Sequence, residues 1–330
     1  MRKFVYGLIA LVAALVAVAA ALSLLSDTPS KYLKFLDFPR LQFFWTAVVS
    51  LPLFLAFTRR YRWYDVALVI GLVAAIGIQA YYLVNYTGLV GEDVPTADAS
   101  VPDERRVSVL VANVLMDNKE TEPLLRQIRE RDPDLVLAME TDAYWADALS
   151  VLRQRYPHTE ERINDVAYGM MLFSRFPLRD TEVRYLQNER VPSFETVLTL
   201  PGGREVELHC VHPVPPTDFQ ELPDNEGEAE IAFARVGDFV EAATLPVIVA
   251  GDYNDVFWSR TDRLTETEDL LHDVRVGRGL YSTFDATNPL MRWPLDHVLV
   301  TEEFGVAELA LGGDIGSDHF PLYVELALLE

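Results

Sequence analysis

The chain has 330 residues, long enough for one sizeable soluble domain and something smaller beside it. Its 28 Lys and Arg face 50 Asp and Glu, and the net charge of −22 disfavours non-specific attachment to nucleic acid, which relies on basic contacts to phosphates. A single cysteine, Cys210, excludes an intramolecular disulfide and any thiolate cluster for zinc.

From the start of the chain, Phe4 to Leu25 is an almost unbroken apolar run without charge, preceded by Arg2 and Lys3. As a helix it spans about 33 Å, enough to cross a bilayer. Ala19, Ala20 and Ala21 leave a cleavable signal peptide as the rival reading, but the apolar region of such peptides runs to only about 7–15 residues. An uncleaved helix is the expectation. Two further apolar runs, Leu41 to Phe57 and Val66 to Val84, follow; the first of these two contains Pro52, which membrane helices tolerate better than soluble ones. Aromatic residues stand at the ends of the runs: Phe43, Phe44 and Trp45, then Tyr61, Trp63 and Tyr64, then Tyr81, Tyr82 and Tyr86. That is the distribution of an interfacial belt. A soluble three-helix core is the competing reading, and the uncharged lengths oppose it. Residues 1–86 are predicted to be a membrane domain with three transmembrane helices.

Basic residues in short loops set orientation. Arg2 and Lys3 precede the first helix, and Arg59, Arg60 and Arg62 follow the second. Lys31, Lys34 and Arg40 on the opposite side argue the other way, diluted by Asp27 and Asp37. The balance predicts an inside N-terminus, with the C-terminal domain on the periplasmic or extracellular side of a multi-pass cell-membrane protein.

Residues 87–104 have linker composition, rich in Gly, Pro, Ser and acidic residues without periodicity. The domain boundary is expected there, with the soluble domain over 105–330. Residues 101–330 hold 20 of the basic and 44 of the acidic residues, a net −24, and no lysine follows Lys119.

In the soluble domain, Arg106 to Val114 reads as a strand whose apolar run ends at Asn113. Lys119 to Arg131 has helical spacing of Leu124, Leu125 and Ile128, and Pro133 ends it. Leu135 to Met139 is a second buried strand, delivering Glu140 at its end. A carboxylate there is costly to bury unless it is paired or holds a cation; the bland alternative is a glutamate emerging into solvent. Tyr168 to Pro177 is a strand running into a turn, and Val206 to His212 is another. Strand alternation sends His209 and His212 to opposite faces, so they do not share a metal. His212, before the rigid run Pro213-Val214-Pro215-Pro216, is the better functional candidate, and His209 reads as a packed or surface residue.

Val247 to Ala250 is an apolar run ending in Gly251-Asp252-Tyr253-Asn254. Period-2 alternation points Asp252 and Asn254 the same way, and a carboxylate beside an amide suits a hard cation or a phosphate oxygen. An ordinary strand-to-turn junction would favour the same residues. Asp296 opens a late strand and Asp318-His319 the last one, expected over 316–324. Asp and His at successive strand starts can form a carboxylate–imidazole pair, in which the carboxylate fixes the tautomer.

In order and context, Asn113, Glu140, His212, Asp252-x-Asn254, Asp296 and Asp318-His319 resemble the endonuclease/exonuclease/phosphatase (DNase I-like) superfamily over about residues 105–328. That superfamily includes DNase I-like nucleases, abasic-site endonucleases, neutral sphingomyelinases and inositol-polyphosphate 5-phosphatases. The resemblance implies an α/β fold, a four-layer α/β/β/α sandwich, here preceded by three transmembrane helices. It also implies a divalent-metal phosphohydrolase using Mg²⁺ or Mn²⁺. By the same resemblance Glu140 binds the metal with Asn113, and Asp318 binds or steers it. Asp252 orients or deprotonates the attacking water, and Asn254 holds the phosphate. His319 contacts phosphoryl oxygens and is oriented by Asp296, while His212 touches a non-bridging oxygen or assists the leaving group.

The acidic surface departs from the basic DNA grip of the nucleases. The His212-Pro213 loop instead looks like membrane-anchored bacterial members, for which hydrolysis of a polyprenyl pyrophosphate carrier is one suggested activity. The expectation is a membrane-tethered phosphoesterase whose partners are the lipid bilayer and a lipid-borne phosphorylated substrate. A tethered nuclease acting on DNA and a non-catalytic membrane binding protein are the alternatives.

Overall fold

Three apolar helices begin the chain. They are α1 (Arg2–Leu22), which a 3-10 turn extends to Leu25, then α3 (Arg40–Phe57) and α4 (Trp63–Leu83), with a short α2 (Lys31–Phe35) between the first two. The computed structural model describes residues 2–26, 30–187, 189–215, 228–258, 265–267 and 269–329; Asp27 and Pro216, used in the sequence reading, lie outside these. The chain divides into two compact units, Met1–Leu89 and Val90–Glu330.

In the first unit the three long helices are each long and apolar enough to cross a membrane. They pack through small residues, Ala13, Ala20, Ala47 and Ala75, with Val16, Phe54 and Leu72. A Cβ on Gly71 would stand 3.0 Å from that of Ala17, the close approach that small residues permit between membrane helices. Leu8, Leu11, Leu15 and Ile70 point outward and exposed, an apolar coat suited to lipid. Arg40, at the start of α3, is fully buried. Its guanidinium donates to Asp37 Oδ1 at 2.7 Å, Gln79 Oε1 at 3.0 Å and the Ser23 carbonyl at 3.2 Å, and stacks 3.6 Å from the Tyr82 ring centroid.

The second unit is built from two six-stranded sheets. The first has the order β11-β12-β1-β2-β4-β3, made from β1 (Arg106–Asn113), β2 (Leu135–Met139), β3 (His158–Arg162), β4 (Met170–Ser174), β11 (Phe304–Leu311) and β12 (Leu322–Leu328). The second has the order β5-β6-β7-β8-β10-β9, from β5 (Leu178–Arg184), β6 (Ser193–Thr199), β7 (Glu205–Val211), β8 (Val247–Asp252), β9 (His272–Asp273) and β10 (Asp296–Val300). Both faces of the central strands are covered, which is why they read as continuous apolar runs rather than alternating ones. Val107, Val109 and Val111 of β1 join Ile248 and Ala250 of β8 in the core between the sheets. Leu110 and Ala112 face the other way, onto Leu124, Leu125 and Ile128 of α5 (Glu122–Arg131) and Trp145 of α6 (Ala143–Leu149). Val247 and Val249 of β8 turn outward onto Phe233, Val236 and Val240 of α7 (Glu228–Ala242). The result is the expected four-layer α/β/β/α sandwich. Asp142 starts α6 by accepting the Trp145 amide at 2.9 Å.

Two local expectations change. The stretch read as linker, 87–104, is in large part a strap packed on the sandwich: Val94 is buried, Ala97 N donates to the Val306 carbonyl and Val306 N to that of Pro95, both at 2.8 Å. Loop composition hid this, because the strap adds a single residue, Val94, to the core and otherwise satisfies the free backbone edge of β11. The last strand begins at Leu322, and residues 316–321 form a loop, since the turn residues Gly316, Ser317 and Pro321 interrupt pairing.

Candidate active site

Register brings the site residues together. β1 and β2 are parallel, with Asn113 opposite Met139, so Asn113 and Glu140 leave the first sheet at one edge. β7 and β8 are also parallel, with Val211 opposite Gly251, so His212 and Asp252 leave the second sheet together. β10 runs antiparallel to β8 and its first residue, Asp296, pairs with Asp252. Gly251 permits the close approach: a Cβ there would lie 1.8 Å from the Val211 carbonyl oxygen. Glu140 and Asn254 hold φ of 60° and 53°, left-handed conformations that non-glycine residues seldom adopt.

Asn113 ties the two sheets. Its amide donates to Glu140 Oε1 at 2.8 Å and to Asp252 Oδ2 at 2.9 Å. Asp252 Oδ1 accepts the Asn254 backbone amide at 2.8 Å, and the Asn254 side chain donates to the Pro213 carbonyl at 3.0 Å. His319 Nδ1 stands 2.8 Å from Asp296 Oδ2, and its Nε2 lies 3.5 Å from Asp252 Oδ2. The loop that carries it is pinned by Ser317, whose hydroxyl donates to the Asn113 carbonyl and accepts the His319 amide. His212 Nε2 is 3.9 Å from Asp252 Oδ2. Asp318 follows Ser317 directly and is partly buried.

Electrostatics divides these groups by role. Burial opposes a charge on His319, but Asp252, Asp296 and Asp318 outweigh it and hold the imidazole protonated, with a pKa raised to about 10. Burial lowers His212 to about 4, so it stays neutral. Burial raises Glu140 to about 7, against the Asn113 hydrogen bond and His319. Asp252 is held below the ordinary carboxylate range because His319, His212 and Asn113 together outweigh its burial. Burial raises Asp296 and Asp318.

A divalent cation fits this donor set. Glu140, Asp252, Asp296 and Asp318 converge with one protonated imidazole, leaving negative charge that such an ion neutralises, and oxygen donors without thiolate suit Mg²⁺ or Mn²⁺. Ligand atoms of Asp252, Asp296 and His319 lie within 4.8 Å of one another. A protonated His319, bonded through Nδ1 to Asp296, offers no lone pair to a metal, so that trio reads better as a carboxylate–imidazole relay. Glu140, with Asn113 and Asp318 beside it, is the better cation holder.

His209 is placed apart, bonded to Glu207 at 2.7 Å and stacked on Phe239. One residue that motif reasoning missed joins the site. Tyr168 is buried with its ring centroid 5.3 Å from that of His212, and its hydroxyl has no hydrogen-bond partner among the described residues. Glu140 and Asp252 add to burial in keeping the phenol protonated. Gly169 sets its position, since a Cβ there would lie 1.8 Å from the Thr141 carbonyl oxygen. The Tyr-Gly pair ahead of β4 was the available signal.

The sequence matches the model of the Endonuclease/Exonuclease/phosphatase family over residues 110–319. Among solved structures, TDP2 of D. rerio complexed with a single-strand DNA product aligns with a TM-score of 0.55 at 16% identity, over 67% of this chain and 98% of that one. An endonuclease/exonuclease/phosphatase from Beutenbergia cavernae DSM 12333 gives 0.52 at 20% identity, over 68% and 72%. The human Nocturnin catalytic domain with bound sulfate gives 0.53 at 17% identity, over 68% and 94%. No curated protein matches the sequence.

Proposed function

Because the chain belongs to the endonuclease/exonuclease/phosphatase family, we propose that its sandwich hydrolyses a phosphate ester or pyrophosphate carried by a membrane lipid, with the help of a divalent cation. The observation that carries this reading is the convergence, at one edge of both sheets, of Glu140, Asn113, Asp252 and the Asp296–His319 pair. Phosphate ester hydrolysis needs a water placed in line, donors to the equatorial oxygens, and a counter-charge for the transferring group.

Each residue supplies one of these. Asp252, kept ionised and anchored by Asn113, orients the attacking water and accepts its proton. His319, protonated and aligned by Asp296, donates to a phosphoryl oxygen. Neutral His212 faces the same space and contacts a non-bridging oxygen or the leaving group. Asn254 reaches the phosphate only by releasing the Pro213 carbonyl. Glu140, Asn113 and Asp318 would hold a divalent cation such as Mg²⁺ or Mn²⁺, which would supply counter-charge to the phosphoryl group.

Three apolar helices on the same chain support a lipid-borne substrate, because a tether confines the site to headgroups and raises their effective concentration. An acidic sandwich with no lysine after Lys119 supports it as well. Orientation with the sandwich outside is favoured by the buried Asp37–Arg40 pair, which removes one basic residue from the opposing loop charge.

The test is phosphate release by the detergent-purified full chain from a polyprenyl pyrophosphate and from a phospholipid, beside cleavage of duplex DNA. Each assay is run with Mg²⁺, with EDTA, and with His319→Ala. Lipid-phosphate turnover lost in EDTA and in the variant is the expected result. DNA cleavage alone, with the same dependence, replaces the lipid reading with a tethered nuclease. Turnover of none of the three points to a binding protein.

A further inference from the structure

A concentration of positive charge lies far in sequence from the catalytic residues, at one end of the helical unit. A cavity of about 430 Å³ opens there, with Arg2, Lys3, Arg59, Arg60 and Arg62 around it. Among the described residues, none of these five cations is ion-paired with a carboxylate. The one acid in the wall, Asp65, is buried and already engaged: it takes the Tyr6 hydroxyl, and its Oδ2 accepts the Arg62 backbone amide at 2.9 Å. Five positive charges around one concavity repel one another unless an anion joins them.

The backbone adds to the field. α1 and α4, each 21 residues long, both start at this cavity, so two helix N-termini contribute partial positive charge. Other contacts hold the walls in place. Arg2 donates to the Ala56 carbonyl at 3.4 Å and lies 6.0 Å from the Phe57 ring centroid, and Arg62 donates to the Tyr64 hydroxyl at 2.6 Å. Orientation rules alone ask only that basic residues lie near the inner surface; they do not gather them around a cavity with an occupied acid in its wall.

We propose that this cavity binds the phosphate of an acidic phospholipid headgroup. The proposal rests on the three helices spanning a membrane, and is independent of what the sandwich hydrolyses. A lipid fits better than a free phosphate ion because Phe4, Tyr61 and Trp63, adjoining the basic residues in sequence, are all more than half exposed, as residues seated among headgroups are. Exposed Leu8 and Leu11 of α1 continue the apolar path for an acyl chain. The bound lipid then fixes the end of the bundle against the inner leaflet.

The test uses the full chain in a neutral detergent, titrated with short-chain phosphatidylglycerol, with phosphatidylcholine of the same chain length, and with inorganic pyrophosphate. Native mass spectrometry or a thermal shift reads binding. Saturable binding of phosphatidylglycerol, at least about tenfold tighter than that of phosphatidylcholine, is expected. Arg59→Gln/Arg60→Gln should weaken it by about tenfold or more, and Arg59→Lys/Arg60→Lys, which keeps the charge that sets orientation, should retain part of it. Equal binding of the two lipids by the wild-type chain overturns the proposal even if no variant can be purified. So does unchanged phosphatidylglycerol binding by the Gln variant. Saturable binding of pyrophosphate without phosphatidylglycerol overturns the lipid and leaves a soluble phosphate as the ligand.

Discussion

Two buried polar networks, one in each unit, show how differently this chain treats charge. In the helical unit Arg40 is enclosed by Asp37, Gln79, Ser23 and the Tyr82 ring, and every guanidinium nitrogen finds an acceptor. In the sandwich, His212 Nδ1 and the Tyr168 hydroxyl have no hydrogen-bond partner among the described residues, and Glu140 and Asn254 stand in left-handed conformations. A satisfied buried ion pair holds helices in register. Unsatisfied groups with backbone strain mark a place where structure waits for something to bind. The difference teaches which buried charges to read as architecture and which as chemistry.

The largest expected effect sharpens that contrast at the chemical end. Asp252→Asn should lower turnover by about 10²–10⁴-fold. Its melting temperature should fall only modestly, because burial opposes the ionised carboxylate in the folded state while His319, His212 and the Asn113 amide favour it. Steady-state hydrolysis paired with thermal denaturation checks both halves; a collapse in stability would place Asp252 with the architecture.

At the other end, Arg40→Met should destabilise the helical unit by about 3–5 kcal/mol by taking the guanidinium away from the buried Asp37 carboxylate. A paired Asp37→Leu/Arg40→Met change should recover much of the loss. Unfolding in detergent measures it, and equal stability of the single variant and the wild type would show that the ion pair holds nothing.

Protonation offers a third comparison. Burial raises Glu140 from 4.5 to about 7, so the unfolded chain loses that proton at lower pH than the folded one. In EDTA this group makes the folded state less stable as pH climbs from 4.5 to about 7, while its affinity for Mg²⁺ climbs over the same interval as the proton stops competing. Glu140→Gln should remove both trends. Denaturation and calorimetric titrations across that interval test them, and a variant that follows the wild-type pH curve would take Glu140 out of the cation site.

The smallest effect concerns Tyr168. If its unpartnered hydroxyl is completed by substrate, Tyr168→Phe should cost about tenfold in kcat and nothing in stability. A loss of stability without a loss of rate would make the residue structural.

How far these networks were legible in the sequence follows from where each residue sits. Asn113, Glu140, Asp252 and Asp296 stand at the ends of apolar runs, so pattern alone placed them at a sheet edge, and register then set them side by side. Tyr168 was hidden because its place comes from the tight crossing of Gly169 over Thr141, which no periodicity records. β3 and β5 were hidden too: His-Thr-Glu-Glu-Arg and Leu-Arg-Asp-Thr-Glu-Val-Arg are edge or near-exposed strands with little apolar content. The length and composition of the three apolar helices made them legible, whereas the Arg40 network, formed between residues from Ser23 to Tyr82, needed the packed bundle. The strap at 90–104 shows the reverse error, in which turn-rich composition conceals a segment held by backbone pairing.

The central claim, a cation-assisted phosphoesterase at the shared edge of the two sheets, is tested most directly with a substrate that presumes no headgroup. The measurement is hydrolysis of bis(p-nitrophenyl) phosphate by the full chain while Mg²⁺ is titrated into the metal-free protein, repeated with Glu140→Gln. The account predicts saturable activation by Mg²⁺ that is lost in EDTA and shifted to much higher Mg²⁺ in the variant. Hydrolysis that ignores Mg²⁺, EDTA and Glu140→Gln alike would contradict it.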